Sequence, residues 1–142
     1  MDLKELSMLP SPFYRVSVKA FIFDNQQRLL MGKTKESVWE PPGGGLEHDE
    51  SLEGCLQREM QEELGVSLAS IGKPIVFYRG TNVRGFQALK IALEATLVNQ
   101  DFKFGDLIEA KFVTEEELLK LNMSPDESGI KDQINKIWPT GK

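Results

Sequence analysis

The chain has 142 residues and a mass of 16.0 kDa, and its 40% hydrophobic and 27% charged residues are the usage of one ordinary globular domain, 1–142, with its first dozen and last few residues peripheral. That balance excludes collagen, a coiled coil and wholesale disorder, and one cysteine, Cys55, excludes an internal disulfide. A net charge of −5 and a pI of about 5.0 count against a broad footprint on nucleic-acid phosphates, DNA included. No stretch approaches the ~18 apolar residues of a membrane span, so a cytoplasmic chain with no membrane partner is expected.

In chain order, Tyr14 to Phe23 alternates, with Val16, Val18, Ala20 and Ile22 on one face and Ser17, Lys19, Phe21 and Phe23 on the other, which predicts a strand. Asp24 and Asn25 turn the chain into a second strand, Arg28 to Lys33. Trp39-Glu40-Pro41-Pro42-Gly43-Gly44-Gly45 cannot continue a helix and reads as an extended segment ending in a flexible loop. Leu52 to Leu64 is the main helix, capped by Asp49 or Ser51 and stopped by Gly65. Strands follow over Ile75 to Tyr78, Gln87 to Val98 and Ile108 to Val113. Thr114 with Glu117 forms a capping box for a short helix to Leu121, and Ser124, Pro125 and Glu127 open a last helix toward Ile137. Strands mixed with helices in this order predict an α/β fold with helices on the faces of a sheet.

The charge is uneven. Between Glu47 and Glu63 stand seven acids against one base, Arg58. On a helical wheel at ~100° per residue from Leu52, the apolar arc runs through Cys55, Leu56, Met60 and Leu64, and Glu59 and Glu63 fall inside it, with Glu62 beside it. An ionised carboxylate turned toward a core is costly unless it is neutralised, paired or bound to a metal. Arg58 is expected to pair with one neighbour and not with all three. Acids at i, i+3 and i+4 share one helix face, a spacing that lets their oxygens converge on a hard divalent cation such as Mg²⁺.

Gly44, Glu50, Arg58-Glu59-Met60, Glu62-Glu63 and Gly65-Val66 also match, at every specified position, the Nudix box G-x5-E-x7-R-E-U-x-E-E-x-G-U, where U is aliphatic. With Trp39, Pro42-Gly43-Gly44 and the segment from Ile108 to Leu121, the chain resembles the Nudix hydrolase family over roughly residues 14 to 121. The resemblance implies a Nudix-type α/β/α sandwich around a mixed β-sheet. It implies hydrolysis of a nucleoside diphosphate linked to another group, by water attack on phosphorus, with Mg²⁺, or Mn²⁺ as a substitute. Glu59, Glu62 and Glu63 would be metal ligands, and Glu50 a ligand through water. Arg58 would orient the glutamates, and the backbone of Gly43, Gly44 and Gly45 would approach metal or phosphate. For the base the resemblance offers a box glutamate, Asp106 or Glu109.

Trp39 is a candidate to stack on a base and equally a strand-packing residue. Lys33, Lys35, Arg79 and Arg84 are each either a contact to a terminal phosphate or a solvated cation. His48 reads as a solvated loop residue and Cys55 as a small core residue. Two other functions compete with hydrolysis of a small nucleotide: a non-hydrolytic nucleotide-sensing or interaction domain, and an RNA 5′-end pyrophosphohydrolase. The first usually loses box glutamates, all of which are present here, and the second wants a basic track that an acidic chain lacks.

Overall fold

The computed structural model describes residues 2–8, 12–81, 85 and 87–139. The elements in order are α1 (Leu3–Ser7), β1 (Tyr14–Phe21), β2 (Leu29–Thr34), β3 (Trp39–Glu40), β4 (Gly43–Gly45), α2 (Leu52–Leu64), β5 (Leu68–Thr81), β6 (Gln87–Leu97), β7 (Leu107–Val113), α3 (Glu115–Lys120), a 3₁₀ helix (Pro125–Gln133) and α4 (Ile134–Ile137). A mixed sheet runs β4-β1-β6-β5 and a smaller antiparallel sheet β3-β2-β7. In the mixed sheet β1 and β6 are parallel, from Tyr14 opposite Gln87 to Phe21 opposite Glu94, while β4 joins β1 antiparallel, Gly44 opposite Val18.

The alternation of β1 sorts its side chains between two cores. Val18, Ala20 and Ile22 pack with Cys55, Leu56, Met60 and Leu64 of α2. Phe21 packs on the opposite face with Val76, Tyr78, Ile130, Ile134 and Ile137, beneath the 3₁₀ helix and α4. The result is the expected α/β/α arrangement, with both faces of the sheet covered.

Four expectations about elements are corrected, the first being that Gly43 to Gly45, expected as a flexible loop, is strand β4 paired with β1. The strand expected over Ile75 to Tyr78 extends from Leu68 to Thr81, because register shifts around Ser70 and Pro74 carry the pairing past residues that break the alternation. The proline is tolerated because β5 is an edge strand. The last helix is a 3₁₀ segment with one α-turn after it. It presses so closely on β5 that a Cβ on Gly80 would stand 1.6 Å from the Asp126 carbonyl oxygen, and one on Gly129 would stand 2.2 Å from that of Arg79. The first strand ends at Phe21, with Phe23 making an isolated bridge to Leu29.

Candidate active site

Helix α2 is held at both ends by its own sequence. The Ser51 hydroxyl accepts from the Gly54 amide at 3.0 Å, and Gly65 takes the left-handed conformation, φ 65°, that closes the helix. The carbonyls exposed at its C-terminus are then taken up by the loop before β7. Lys103 donates to Leu64, Gly105 to Glu63 and Asp106 to Glu62, at 2.8, 3.1 and 3.1 Å. Those bonds fasten the backbone of Asp106 to that of Glu62.

Glu63 is 5% exposed, and its Oε1 accepts the Gly43 amide hydrogen at 2.7 Å. Burial pushes its carboxyl up to about 8, against the pull of Lys19 and the Gly43 bond. Glu59 lies against Gly44, where a Cβ would stand 2.5 Å from its carboxyl carbon. Its pKa is also raised by burial, which outweighs the Arg58 hydrogen bond. Glu62 stands further out, its side chain about half exposed.

Arg58 reaches more partners than expected. It grips Glu50 at two points, Nε to Oε2 at 2.7 Å and Nη2 to Oε1 at 3.0 Å. It also donates to Glu59 at 2.8 Å and to the Gly45 carbonyl at 3.1 Å, and approaches Glu62 at 3.4 Å. A planar fork with five donors can serve several carboxylates at once, so Arg58 contacts two of the three helix glutamates, Glu59 and Glu62. Its hydrogen bonds hold Glu50 down to about 2, which fixes that carboxylate as its anchor.

Among the described residues, no three His, Cys, Asp or Glu side chains are grouped as a ready-made metal cage. The donor set nevertheless fits a hard divalent ion, because it consists of carboxylate and carbonyl oxygens. Glu63 is a desolvated carboxylate facing the glycine strand with no cationic side chain bonded to it. Glu59 and Glu62 are within reach of the same helix face and share one guanidinium. A cation entering here would compete with Arg58 for Glu59 and Glu62 and would relieve the burial of Glu63.

The other expected residues are placed as follows. Asp106 is exposed and joined to Glu62 through the backbone. Glu109 is also exposed and lies 3.9 Å from the Lys33 ammonium, so those two candidates face each other. Trp39 is 8% exposed and belongs to the second core, with the Lys111 ammonium 4.5 Å from its ring centre and that of Lys33 at 5.9 Å. Its ring is thus in use for packing. Lys35 and His48 are exposed, and Arg79 lines a separate cavity with Gln87 and Asp132. Arg84 lies outside the described residues.

Sequence reasoning missed a buried charged network on the face of the sheet away from α2. Lys19, 2% exposed, donates to the carbonyls of Pro41 and Gly43, both at 3.1 Å. It lies 3.7 Å from the fully buried Glu127 and 4.0 Å from Glu40. Lys90 stands 3.1 Å from the other Glu127 oxygen and donates to Ser17 at 3.3 Å, while the Tyr78 hydroxyl donates to Glu127 at 2.8 Å. Burial would push the Glu127 carboxyl up, but the two lysines overcome it and hold the group below its ordinary range. The signal available in the sequence was Lys19 sharing a strand face with Phe21 and Phe23.

A sheet between helices, with a glutamate-bearing helix packed against a glycine strand, defines a recognisable class of domain. Residues 13–134 match the NUDIX domain, and the chain belongs to that family. It is similar to the RNA pyrophosphohydrolase of Saccharophagus degradans, 35% identical over 66 residues, 45% of this chain and 39% of that protein. It is also similar to that of Ruthia magnifica, 37% identical over 65 residues, 45% and 36% of the two chains. The match thus spans about two fifths of the length of these curated relatives. Among solved structures, the MutT protein from Methanosarcina mazei Go1 superposes with a TM-score of 0.76 at 24% identity, covering 91% of this chain and 96% of that one. The E. coli ORF135 protein does so at 0.71 and 21%, covering 93% and 98%. At these identities the structural likeness establishes the fold. No helix among the described residues is long and apolar enough to cross a membrane.

Proposed function

We propose that the chain is a metal-dependent nucleotide pyrophosphohydrolase of the cytoplasm. The observation that carries this reading is the row Glu59, Glu62 and Glu63 on α2, with Glu63 bonded to the Gly43 amide and Glu59 against Gly44. Glu59, Glu62 and Glu63 would hold Mg²⁺, with Mn²⁺ as a substitute, and Glu50 would act on the site through its grip on Arg58. A bound divalent ion would neutralise phosphate oxygens and make water acidic enough to attack phosphorus. Arg58 keeps the glutamates oriented by charge-assisted hydrogen bonds. The bare backbone of Gly43 and Gly44 lets a phosphate approach where a side chain would obstruct it. In the reaction the water oxygen bonds to phosphorus, the bridging P–O bond breaks, and the water proton passes to a carboxylate, Glu62 or Asp106 being the exposed candidates close to one another in the backbone.

The relatives named RNA pyrophosphohydrolase favour one second reading, action on a triphosphorylated RNA end. An overall charge of −5 speaks for the small nucleotide, since an RNA track needs clustered cations. The test is a panel of nucleoside triphosphates, nucleotide sugars, dinucleoside polyphosphates and 5′-triphosphate RNA, with and without Mg²⁺, reading released phosphate, pyrophosphate and monophosphate. Mg²⁺-dependent turnover of a free nucleotide is expected. Turnover of RNA alone would favour the second reading, and Mg²⁺ binding without any turnover would favour a nucleotide-sensing domain.

A further inference from the structure

The chain enters β4 through Pro41, Pro42 and Gly43, and the carbonyls of all three are pinned to β1. The Lys19 ammonium donates to the first and the third, both at 3.1 Å, and the Ala20 amide donates to the middle one at 2.8 Å. The Pro42 carbonyl and the Gly43 amide belong to one peptide unit, and that amide is the donor to Glu63 at 2.7 Å. One side chain therefore holds the carbonyl on either side of the unit that presents a hydrogen to Glu63. We infer, resting on the hydrolase reading, that Lys19 is a positioning residue of the metal site: it fixes the Gly43 peptide and, through it, the place of the Glu63 carboxylate.

The backbone needs such a restraint here. Proline fixes φ at Pro41 and Pro42, but Gly43, at φ 131°, stands where a glycine is free to turn. β4 is three residues long and forms an edge of its sheet, so few ladder bonds hold it. A carboxylate that swung with this segment would meet a metal ion in no fixed place, and the groups behind a ligand commonly set its affinity.

The buried charges fit this role better than one of stability alone. A buried ion pair often gives no more stability than apolar residues of like volume. Around Lys19 the short contacts are the two carbonyls, while Glu127 and Glu40 stand off at 3.7 and 4.0 Å and balance its charge. Lys90 differs, having Glu127 at 3.1 Å and Ser17 at 3.3 Å as its partners. The two lysines share an acid, and Lys19 is the one that grips the entry to the glycine strand.

The experiment is calorimetric titration of the full chain with Mn²⁺ alone, comparing the unsubstituted protein with Lys19→Met/Glu127→Gln and with Lys90→Met/Glu127→Gln. Lys19→Met by itself leaves Glu127 short of a counter-charge and so confuses folding with function. Each pair instead removes one charge of each sign, and the glutamine can still accept from the Tyr78 hydroxyl that now donates to Glu127. Losing Lys19 should weaken Mn²⁺ binding about tenfold or more, the scale for a partner behind a ligand, whereas losing Lys90 should change it by less than about threefold. In chelator, the Gly43 amide should exchange its hydrogen faster by a similar factor without Lys19, measured against the Leu30 amide, which donates to Ile22 in the core. Mn²⁺ affinity unchanged without Lys19, or lost equally in both pairs, would overturn the proposal.

Kinetics with Mg²⁺ on the nucleotide panel keep the two readings apart. Without Lys19, kcat should fall about tenfold or more with KM little changed. A rise in KM alone would overturn the proposal by placing Lys19 on the nucleotide instead. Mn²⁺ affinity that depends on Lys19 in a protein that hydrolyses nothing on the panel removes the hydrolase and leaves the positioning role. Turnover in a protein whose Mn²⁺ affinity is indifferent to Lys19 does the reverse.

Discussion

The Gly43 amide donates to Glu63 Oε1 at 2.7 Å, and the Gly43 carbonyl accepts from Lys19 at 3.1 Å. One peptide group on each side of a single glycine α-carbon thus joins the glutamate of α2 to the buried lysine across the sheet. The geometry explains why this position is glycine: φ is 131°, and a Cβ would stand 2.1 Å from the Val18 carbonyl oxygen. Gly43→Ala should cost about 3 kcal/mol of stability through strain and overpacking, read as a fall in the urea midpoint. Gly44→Ala meets only the movable end of Glu59. It should leave the midpoint nearly unchanged while turnover falls about tenfold or more, the scale of losing a group that orients a ligand.

Glu62→Gln keeps the shape of a half-exposed side chain and removes its charge. Turnover with Mg²⁺ should drop by several orders of magnitude while the metal-free melting temperature stays within about 2 °C, since exposed substitutions change stability little. A rate near that of the unsubstituted protein would place the metal elsewhere.

Glu63 gives the metal-free protein a pH signature. Its carboxyl ionises near 4.5 when unfolded and is raised to about 8 when folded, so the folded state holds the extra proton between those values. Stability must then fall as pH rises from about 4.5 to 8 and level off above, by a few kcal/mol at about 1.4 kcal/mol per pH unit. Melting curves in chelator should show this decline, and Glu63→Gln should flatten it. Glu63→Leu is a poorer probe, because it leaves the Gly43 amide without its acceptor.

Glu127 is fully buried and balances two lysines. Glu127→Ala should destabilise the fold by about 3–5 kcal/mol, since it leaves Lys19 and Lys90 buried and uncompensated. A chemical denaturation midpoint close to that of the unsubstituted protein would mean that the lysines find other partners.

Much of this was legible beforehand, for identifiable reasons. The face of α2 could be read because helical periodicity fixes which side chains point inward, and Glu63 is buried and Glu59 half-buried as the wheel places them. The capping box at Thr114 is present in both directions because it depends on residues three apart. The network of Lys19, Lys90 and Glu127 was not legible, because its members come from β1, β6 and the 3₁₀ helix and only the sheet brings them together. Glu127 looked like an ordinary acid in a first helical turn. Trp39 was ambiguous because an aromatic beside a glycine loop serves packing or stacking equally well, and the neighbours that settle its packing, among them Met31 and Leu118, lie far off in sequence or on another strand.

Cys55, the one cysteine of the chain, is wholly buried, with its sulfur 3.7 and 3.6 Å from the carbonyl oxygens of Gly44 and Gly45. Burial, aided by the Glu50 charge, pushes its thiol up to about 12, and a thiol that stays protonated is a poor nucleophile. Alkylating reagents and mild oxidants should therefore pass it by at neutral pH. A cysteine introduced on the exposed side of α2, as in Gln61→Cys, would be the single handle a maleimide finds. A dye or spin label can thus be set one residue from Glu62, with the native thiol left in place, to report on the glutamates as metal and nucleotide arrive.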